Sequence, residues 1–354
     1  MYFFYTWLKV SFQQSLVSKV TVLKSFSGKN NNLKTPTFIP IKYEVIKGYF
    51  YQDDPSSIPS DFNYLVDDFG LIAPNTWNQV KFDLKILNDN SPDNVAYKLL
   101  FLARHGEAPH NAAKIYYGQK AWDCYWAHLP GNRTMTWLDG HLTELGTQQA
   151  KDNNPSWKKQ LTKDAPFPSS FYCSPLTRSI ETLIYTWNDI GLFAPPYVHP
   201  VFKEMLREDN GVDTADIRMN KTYLSKVYPE FEFEDGFSEE DELWDPYFYE
   251  SNEAHDVRSH RFLDDIFAND SSAFISVTSH SGTIYSIFRV IGHADYIVDT
   301  GGMVPVIVKA IGPSIEGTSS SRTGLFTSSV TSIAATWCTV TSESIIVTAT
   351  SNPS

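Results

Sequence analysis

Three short apolar runs in this chain each stop at polar residues that a hydrophobic core would reject. LLFLA runs into Arg104-His105-Gly106, FYC runs into Ser174 with Arg178 four residues on, and ISVT runs into Ser279-His280-Ser281. Runs of about four to eight apolar, β-branched and aromatic residues read as buried strands. Helical periodicity follows directly on the second and third, over 177–187 and 281–291. Strands alternating with helices predict an α/β fold built on a parallel sheet. In open sheets of that kind ligands bind outside the carboxyl ends of the strands, so the three polar clusters are expected to face one crevice.

The same pattern extends on either side. Strands are expected over 98–103, 170–173, 198–202, 273–278 and 304–310, and a longer amphipathic helix over 254–267 is expected to cover one sheet face. Thr143 reads as a helix N-cap ahead of Glu144, Leu145 and Gln148, because a hydroxyl can accept a free backbone N–H. There is no internal repeat, which excludes solenoids and propellers.

Each polar cluster has a bland reading as well as a chemical one. A lone strand-end histidine is commonly structural, and a lone arginine is commonly a solvated charge. Together they form a phosphate cradle. Arg104 and Arg178 can fork onto anionic oxygens, and Gly106 permits a sharp turn and a close approach. His280 stands beside Ser281 where helix N–H groups favour an anion. His105 can then attack phosphorus through a neutral ring nitrogen while the arginines take up charge on the equatorial oxygens. Ser174 and Ser279 lack the GxSxG elbow of a serine hydrolase.

Composition narrows the partners. The chain has 354 residues, 42% hydrophobic and 20% charged, which suits one α/β domain with additions. No apolar stretch approaches the ~18 residues of a membrane span, so no membrane partner is expected. The net charge of −12 and pI near 5.2 argue against a nucleic-acid backbone. Cys124, Cys173 and Cys338 show no CxxC spacing, so they read as free thiols of a reducing, cytoplasmic setting. Sequons at Asn132, Asn220 and Asn269 leave secretion open.

Residues 1–37 read as an N-terminal extension. MYFFYTWL precedes Lys9, a poor match to a secretory signal, and the segment lacks the arginines of a mitochondrial leader. Residues 313–354 read as a Ser/Thr-rich C-terminal tail with no amphipathic face to dock on a core. The acidic run EFEDGFSEEDELWD, 232–245, reads as a solvated insertion whose acids lack calcium-loop spacing. Trp122, Trp126, Trp137 and Trp187 read as core or lid packing, and His110 as a substrate-orienting or turn-capping residue.

Taken in order, RHGEAPHN, LTELGTQQA, SPLTRSIET and TSHSGT resemble the histidine phosphatase superfamily, the phosphoglycerate mutase-like proteins. FGLI, WDCYW and TGGMVPV resemble its fungal branch of phosphomutase homologues, and the likeness spans 96–310. The resemblance implies a three-layer α/β/α sandwich, a mostly parallel sheet with helices on both faces, in a catalytic domain over 38–312. By it His105 is the phosphorylated histidine, Arg104 and Arg178 clamp the phosphate, and His280 is the second histidine. Asn111 and Ser281 join the substrate-binding set.

The family places a proton-donating acid between the second arginine and the second histidine. In VFKEMLRED the Leu206-Arg207-Glu208 phrase selects Glu208 over Glu204 and Asp209. Neither a metal nor an organic cofactor is implied, and the partner expected is a phosphorylated small molecule.

Three activities fit that set. A phosphatase hydrolyses the phosphohistidine, a mutase returns the phosphoryl group to substrate, and a scaffold of the same fold does neither. The family's mutases carry Gly-Gly after the second histidine, where this chain has Ser281-Gly282, and Asp209, Asp213 and Asp216 make the following loop acidic. Those departures favour the phosphatase, with Arg218 and Lys221 left as candidate ligands for a substrate anion. A scaffold predicts loss of a core residue, and none is lost.

Overall fold

A computed structural model describes residues 40–192, 198–313 and 332–334. Its chain order is β1 Lys42–Ile46, α1 Trp77–Asp89, β2 Val95–Arg104, α2 Pro109–Tyr117, α3 Gln119–Cys124, α4 Glu144–Thr162, β3 Ser170–Cys173 and α5 Thr177–Trp187. There follow β4 Val201–Phe202, α6 Lys221–Val227, β5 Glu232–Phe233, β6 Phe248–Glu250, α7 Asn252–Asn269, β7 Phe274–Ser279, α8 Ser281–Ile291, β8 Met303–Ile311 and β9 Ser332–Ala334.

Seven strands form the main sheet in the order β1-β8-β2-β7-β3-β4-β5. The pairs β2–β7, β7–β3, β3–β4 and β4–β5 are parallel, and β8 lies antiparallel between β1 and β2. Alternation along a strand sends neighbouring side chains to opposite faces. Leu99 and Phe101 accordingly pack with Trp77, Trp157, Ile180 and Trp187 of α1, α4 and α5. Leu100 and Leu102 pack with Phe262, Leu263, Ile284 and Ile287 of α7 and α8. Each such side chain, fully buried, stabilises the fold by about 2 kcal/mol. Helices therefore cover both faces, as a three-layer α/β/α sandwich requires.

The parallel register sets the strand ends level. Arg104 pairs with Ser279 and Cys173 with Thr278. His105 then donates its N–H to Ser279 O at 3.0 Å, and Ser174 donates to Thr278 O at 3.0 Å.

Four expectations change. The strand placed over 198–202 shortens to Val201–Phe202. The acidic run is solvated only in part: Glu232, Asp235, Glu239, Glu240 and Glu242 are exposed, but Phe237 is buried, and Asp241, 9% exposed in its side chain, pairs with fully buried Arg207. In the Ser/Thr-rich stretch, Ser332–Ala334 pairs antiparallel with β6, although most of that stretch and all of 1–37 lie outside the described residues. Cys124 is disulfide-bonded, whereas Cys173 is a free, buried thiol. Sequence spacing cannot see a bond made by tertiary approach, so the reducing setting loses its support. No described helix is long and apolar enough to cross a membrane.

Candidate active site

The first strand end is held by glycines on both sides. A β-carbon on Gly106 would stand 2.3 Å from Gly146 O, and one on Gly146 would stand 2.0 Å from Glu107 O. Gly106 thus serves the approach of α4 to this loop, a different reason from the one its position in the sequence suggested. Thr143 caps α4 by accepting from Gly146 N at 3.0 Å, and its hydroxyl donates to Glu107 Oε1 at 2.7 Å. Gly106 N–H donates to Thr182 Oγ1 on α5, and Gly301 N–H donates to His105 O.

His105 is 1% exposed, and its Nδ1 lies 2.6 Å from Gly106 O. A carbonyl only accepts, so Nδ1 carries the proton and the lone pair is left on Nε2. Burial, with help from Arg178 and Arg104, holds the ring well below its usual pKa. It is a neutral, oriented imidazole. His280 lies 5.1 Å away and His110 5.6 Å away between ring centroids, and both are likewise kept neutral, chiefly by burial.

His280 is set by the second strand end. Its Nε2 lies 2.7 Å from Ser174 Oγ, which accepts from Leu176 N–H at 3.4 Å. With Ser174 as donor to Nε2, the ring proton sits on Nδ1. Sequence reading considered Ser174 only as a nucleophile and missed this positioning contact.

Both arginines are anchored through their terminal nitrogens, and the buried Nε of each has no partner. Arg104 Nη1 donates to Val298 O, while Arg178, fully buried, donates through Nη1 to Ala215 O and through Nη2 to Asp216 Oδ1, each at 2.6 Å. Among the described residues, Arg104 Nε, Arg178 Nε and His280 Nδ1 belong to the buried side-chain atoms that lack a hydrogen-bond partner, as Arg207 Nε and Ser259 Oγ also do. Orphaned buried donors are rare, and the first three sit on residues grouped about His105. A tetrahedral anion would satisfy them. Asn111 caps α2 through Oδ1 on Ala108 N–H at 2.9 Å, so its amide nitrogen is the part left for a ligand.

The Leu206-Glu208 phrase is pinned at its carbonyls. Ser279 Oγ donates to Leu206 O, while Arg258 donates to Met205 O, Arg207 O and Glu208 O. Glu208 then lies over the start of α8, with Ser281 Oγ donating to its Oε2 at 3.3 Å. Burial and then Asp209 push its carboxyl up to about 7, against Arg178 and Arg104. Asp216 is also pushed up to about 7 by burial, although Arg178 opposes this.

Glu204 is in a different condition. Its oxygens accept from Arg218 Nε at 2.6 Å and Arg207 Nη1 at 3.4 Å, so it is consumed in buried ion pairs. Arg218 is 3% exposed and spends its other donors on Met219, Ser238, Glu239 and Glu240, which leaves none for a substrate anion. Lys221 faces the same insertion, its Nζ 5.1 Å from the Phe233 ring centroid. The expectation that these two ligate substrate fails for Arg218, whose partners come from the acidic run.

A family model described as "Histidine phosphatase superfamily (branch 1)" matches residues 127–296, a span that contains Arg178, Glu208 and His280. A "Probable phosphoglycerate mutase" of Arthroderma benhamiae is 41% identical over 283 residues, covering 76% of this chain and 84% of its own. "Phosphomutase-like protein 3" of Candida albicans is 38% identical, covering 78% and 82%. A "Probable phosphoglycerate mutase" of Saccharomyces cerevisiae is 32% identical, covering 75% and 95%. Among solved structures, a phosphoglycerate mutase from Thermus thermophilus matches at 21% identity and a TM-score of 0.33, over 58% of this chain and 91% of its own. With 41% identity to a relative across 76% of its length, the chain belongs to the histidine phosphatase superfamily.

Proposed function

We propose that this chain is a phosphomonoesterase that works through a phosphohistidine on His105. The observation that carries the reading is the trio of buried, unpartnered nitrogens, Arg104 Nε, Arg178 Nε and His280 Nδ1, on residues grouped with His105, whose own Nε2 is unprotonated. Nε2 attacks phosphorus in line, the P–O bond to the leaving group breaks, and the leaving oxygen takes the proton of Glu208. Water then attacks phosphorus, the P–N bond to His105 Nε2 breaks, Glu208 accepts a proton from the water, and inorganic phosphate departs. The charge that spreads over the equatorial oxygens is met by donors already in place. A carboxyl with a pKa near 7 is suited to give a proton in one half-reaction and recover it in the next.

Transfer back to substrate, as the names of the fungal relatives suggest for those proteins, is the second reading. Lys114, partly exposed and 3.6 Å from Asp213, is a cation that could hold a second anionic group. Against it stand the acidic surroundings, Asp209, Asp213 and Asp216, and the full engagement of Arg218. A panel of phosphoesters assayed beside 3-phosphoglycerate, with phosphate release measured directly, separates the two. Brief incubation with a labelled phosphoester, alkaline quench and peptide mapping should place acid-labile phosphate on His105. His105→Ala should abolish turnover with an unchanged circular dichroism spectrum; turnover at the wild-type rate would refute the reading.

A further inference from the structure

Two features that the phosphoryl chemistry leaves unused meet in one place. Cys124 is disulfide-bonded, and shortly after it the chain carries Asn132-Arg133-Thr134, an acceptor pattern for an N-linked glycan whose middle residue is not proline. Structural disulfides persist in the oxidising compartments of the secretory route, where such acceptors are modified. The bond on Cys124 therefore gives the tripeptide a weight that its spacing alone does not.

Asn132 begins a tight turn. Its N–H donates to Met135 O at 2.8 Å, and Gly131 bridges antiparallel to Thr136. Its Oδ1 is occupied within the turn, accepting from Thr134 N–H at 2.9 Å, Thr134 Oγ1 at 3.1 Å and Met135 N–H at 2.8 Å. Those bonds fix the amide plane and direct Nδ2 the other way, where it donates to Tyr117 Oη at 3.0 Å. Arg133, Thr134, Met135 and Thr136 are exposed, so a bulky group on Nδ2 would meet solvent and not core.

Beside that nitrogen lies a groove of about 480 Å³. One wall is the turn itself, from Gly131 to Thr134, and the other is Tyr117, Trp126 and Leu129. Tyr117 and Trp126 are partly exposed and stack on each other, with ring centroids 4.1 Å apart and planes 19° apart. Tyr117 ends α2, and Trp126 follows closely on Cys124, so a helix and a disulfide hold the pair from two sides. Behind it Trp126 meets the edge of buried Trp137 at 6.1 Å. Such a pair offers a flat apolar surface with polar edges, which matches the apolar face of a pyranose ring.

We propose that Asn132 carries an N-linked glycan whose first sugar rests on the Tyr117–Trp126 pair. In the modification the bond from Nδ2 to C1 of the sugar forms as the C1–O bond to a lipid-linked diphosphate breaks. Nδ2 gives up one proton, and the lipid diphosphate leaves. The second hydrogen stays on Nδ2 and can still serve Tyr117 Oη. The remaining two acceptor tripeptides stand at helix ends: Asn220 caps α6 through Oδ1 on Tyr223 N–H at 2.8 Å, and Asn269 donates from Nδ2 to Asp265 Oδ1 at the end of α7.

The first test takes the full-length protein from the organism that makes it and digests it with and without an N-glycosidase in heavy-oxygen water. Release should convert Asn132 to an aspartate that carries the heavy oxygen, and the untreated digest should hold the same peptide with sugar attached. An Asn132 peptide recovered wholly unmodified would overturn the proposal, whatever the state of Asn220 and Asn269.

A second measurement asks where the sugar sits. Wild type trimmed by an endoglycosidase to its first sugar is compared with the same chain made in a bacterial periplasm, which forms disulfides and adds no such glycan. The sugar-bearing protein should unfold about 2 °C higher. Trp126→Leu, which keeps apolar bulk but no flat ring, should unfold at one temperature with or without the sugar. Equal midpoints for the two wild-type forms, or a gain that survives in Trp126→Leu, would overturn the aromatic pair as the seat of the sugar.

Discussion

His105, His110 and His280 stand within a few ångströms of one another and of two arginines, an arrangement that would be strongly repulsive if the rings were charged. Burial resolves it. Desolvation penalises the imidazolium, and the guanidinium groups of Arg178 and Arg104 penalise it further, so the proton comes off well below the usual imidazole value. In the proposed reaction His105 therefore needs no deprotonation before it attacks. Histidine ring-proton NMR of the ligand-free protein should therefore show His105, His110 and His280 with chemical shifts that stay flat between pH 5 and 8. His260, whose partner Asp264 raises its pKa, should titrate. A midpoint near 6.5 for His105 would mean that the site is wetter and less cationic than the geometry requires.

Between β4 and α6 the chain builds the site from ion pairs rather than from regular structure. Arg207 donates two bonds to Asp241 at 2.7 and 2.6 Å, Arg218 and Arg207 share Glu204, and the acidic run supplies the carbonyls that finish Arg218. This is the part that sequence could not deliver. The order of motifs brought out His105, Arg178, Glu208 and His280 because each follows a recognisable run or phrase. Nothing in EFEDGFSEEDELWD distinguishes an acid that clamps an arginine from one that faces water. The same limit hid His255, in the first turn of α7, whose Nδ1 meets Asp209.

The ion-pair account carries a measurable cost. Arg218→Met should lower stability by about 3 kcal/mol, because it leaves the buried Glu204 with only its longer contact to Arg207. Urea unfolding would register that loss. An Arg218 that bound substrate instead would give a raised KM with little change in the unfolding midpoint.

Across the molecule, the elements that could be read from sequence are those whose own residues decide their state. β2, β3, β7 and β8 carry continuous apolar runs, and α5 and α8 repeat apolar residues on one face, so local pattern and final structure agree. β1 does not. Its KYEVI holds two charges in five residues and becomes a strand through pairing with β8, Lys42 opposite Ile311 across most of the chain.

The cysteines show the same dependence on distant partners, and they offer the clearest test at this scale. Cys173 on β3 is fully buried with its thiol pushed up by burial, so it should resist alkylation in the folded protein. After unfolding without reductant it should take the label, while Cys124, already disulfide-bonded, should not until reductant is added. Peptide mapping reads both positions in one digest. Labelling of Cys124 before reduction would restore the free-thiol reading and, with it, the case for a reducing compartment, since structural disulfides persist where thiols are oxidised.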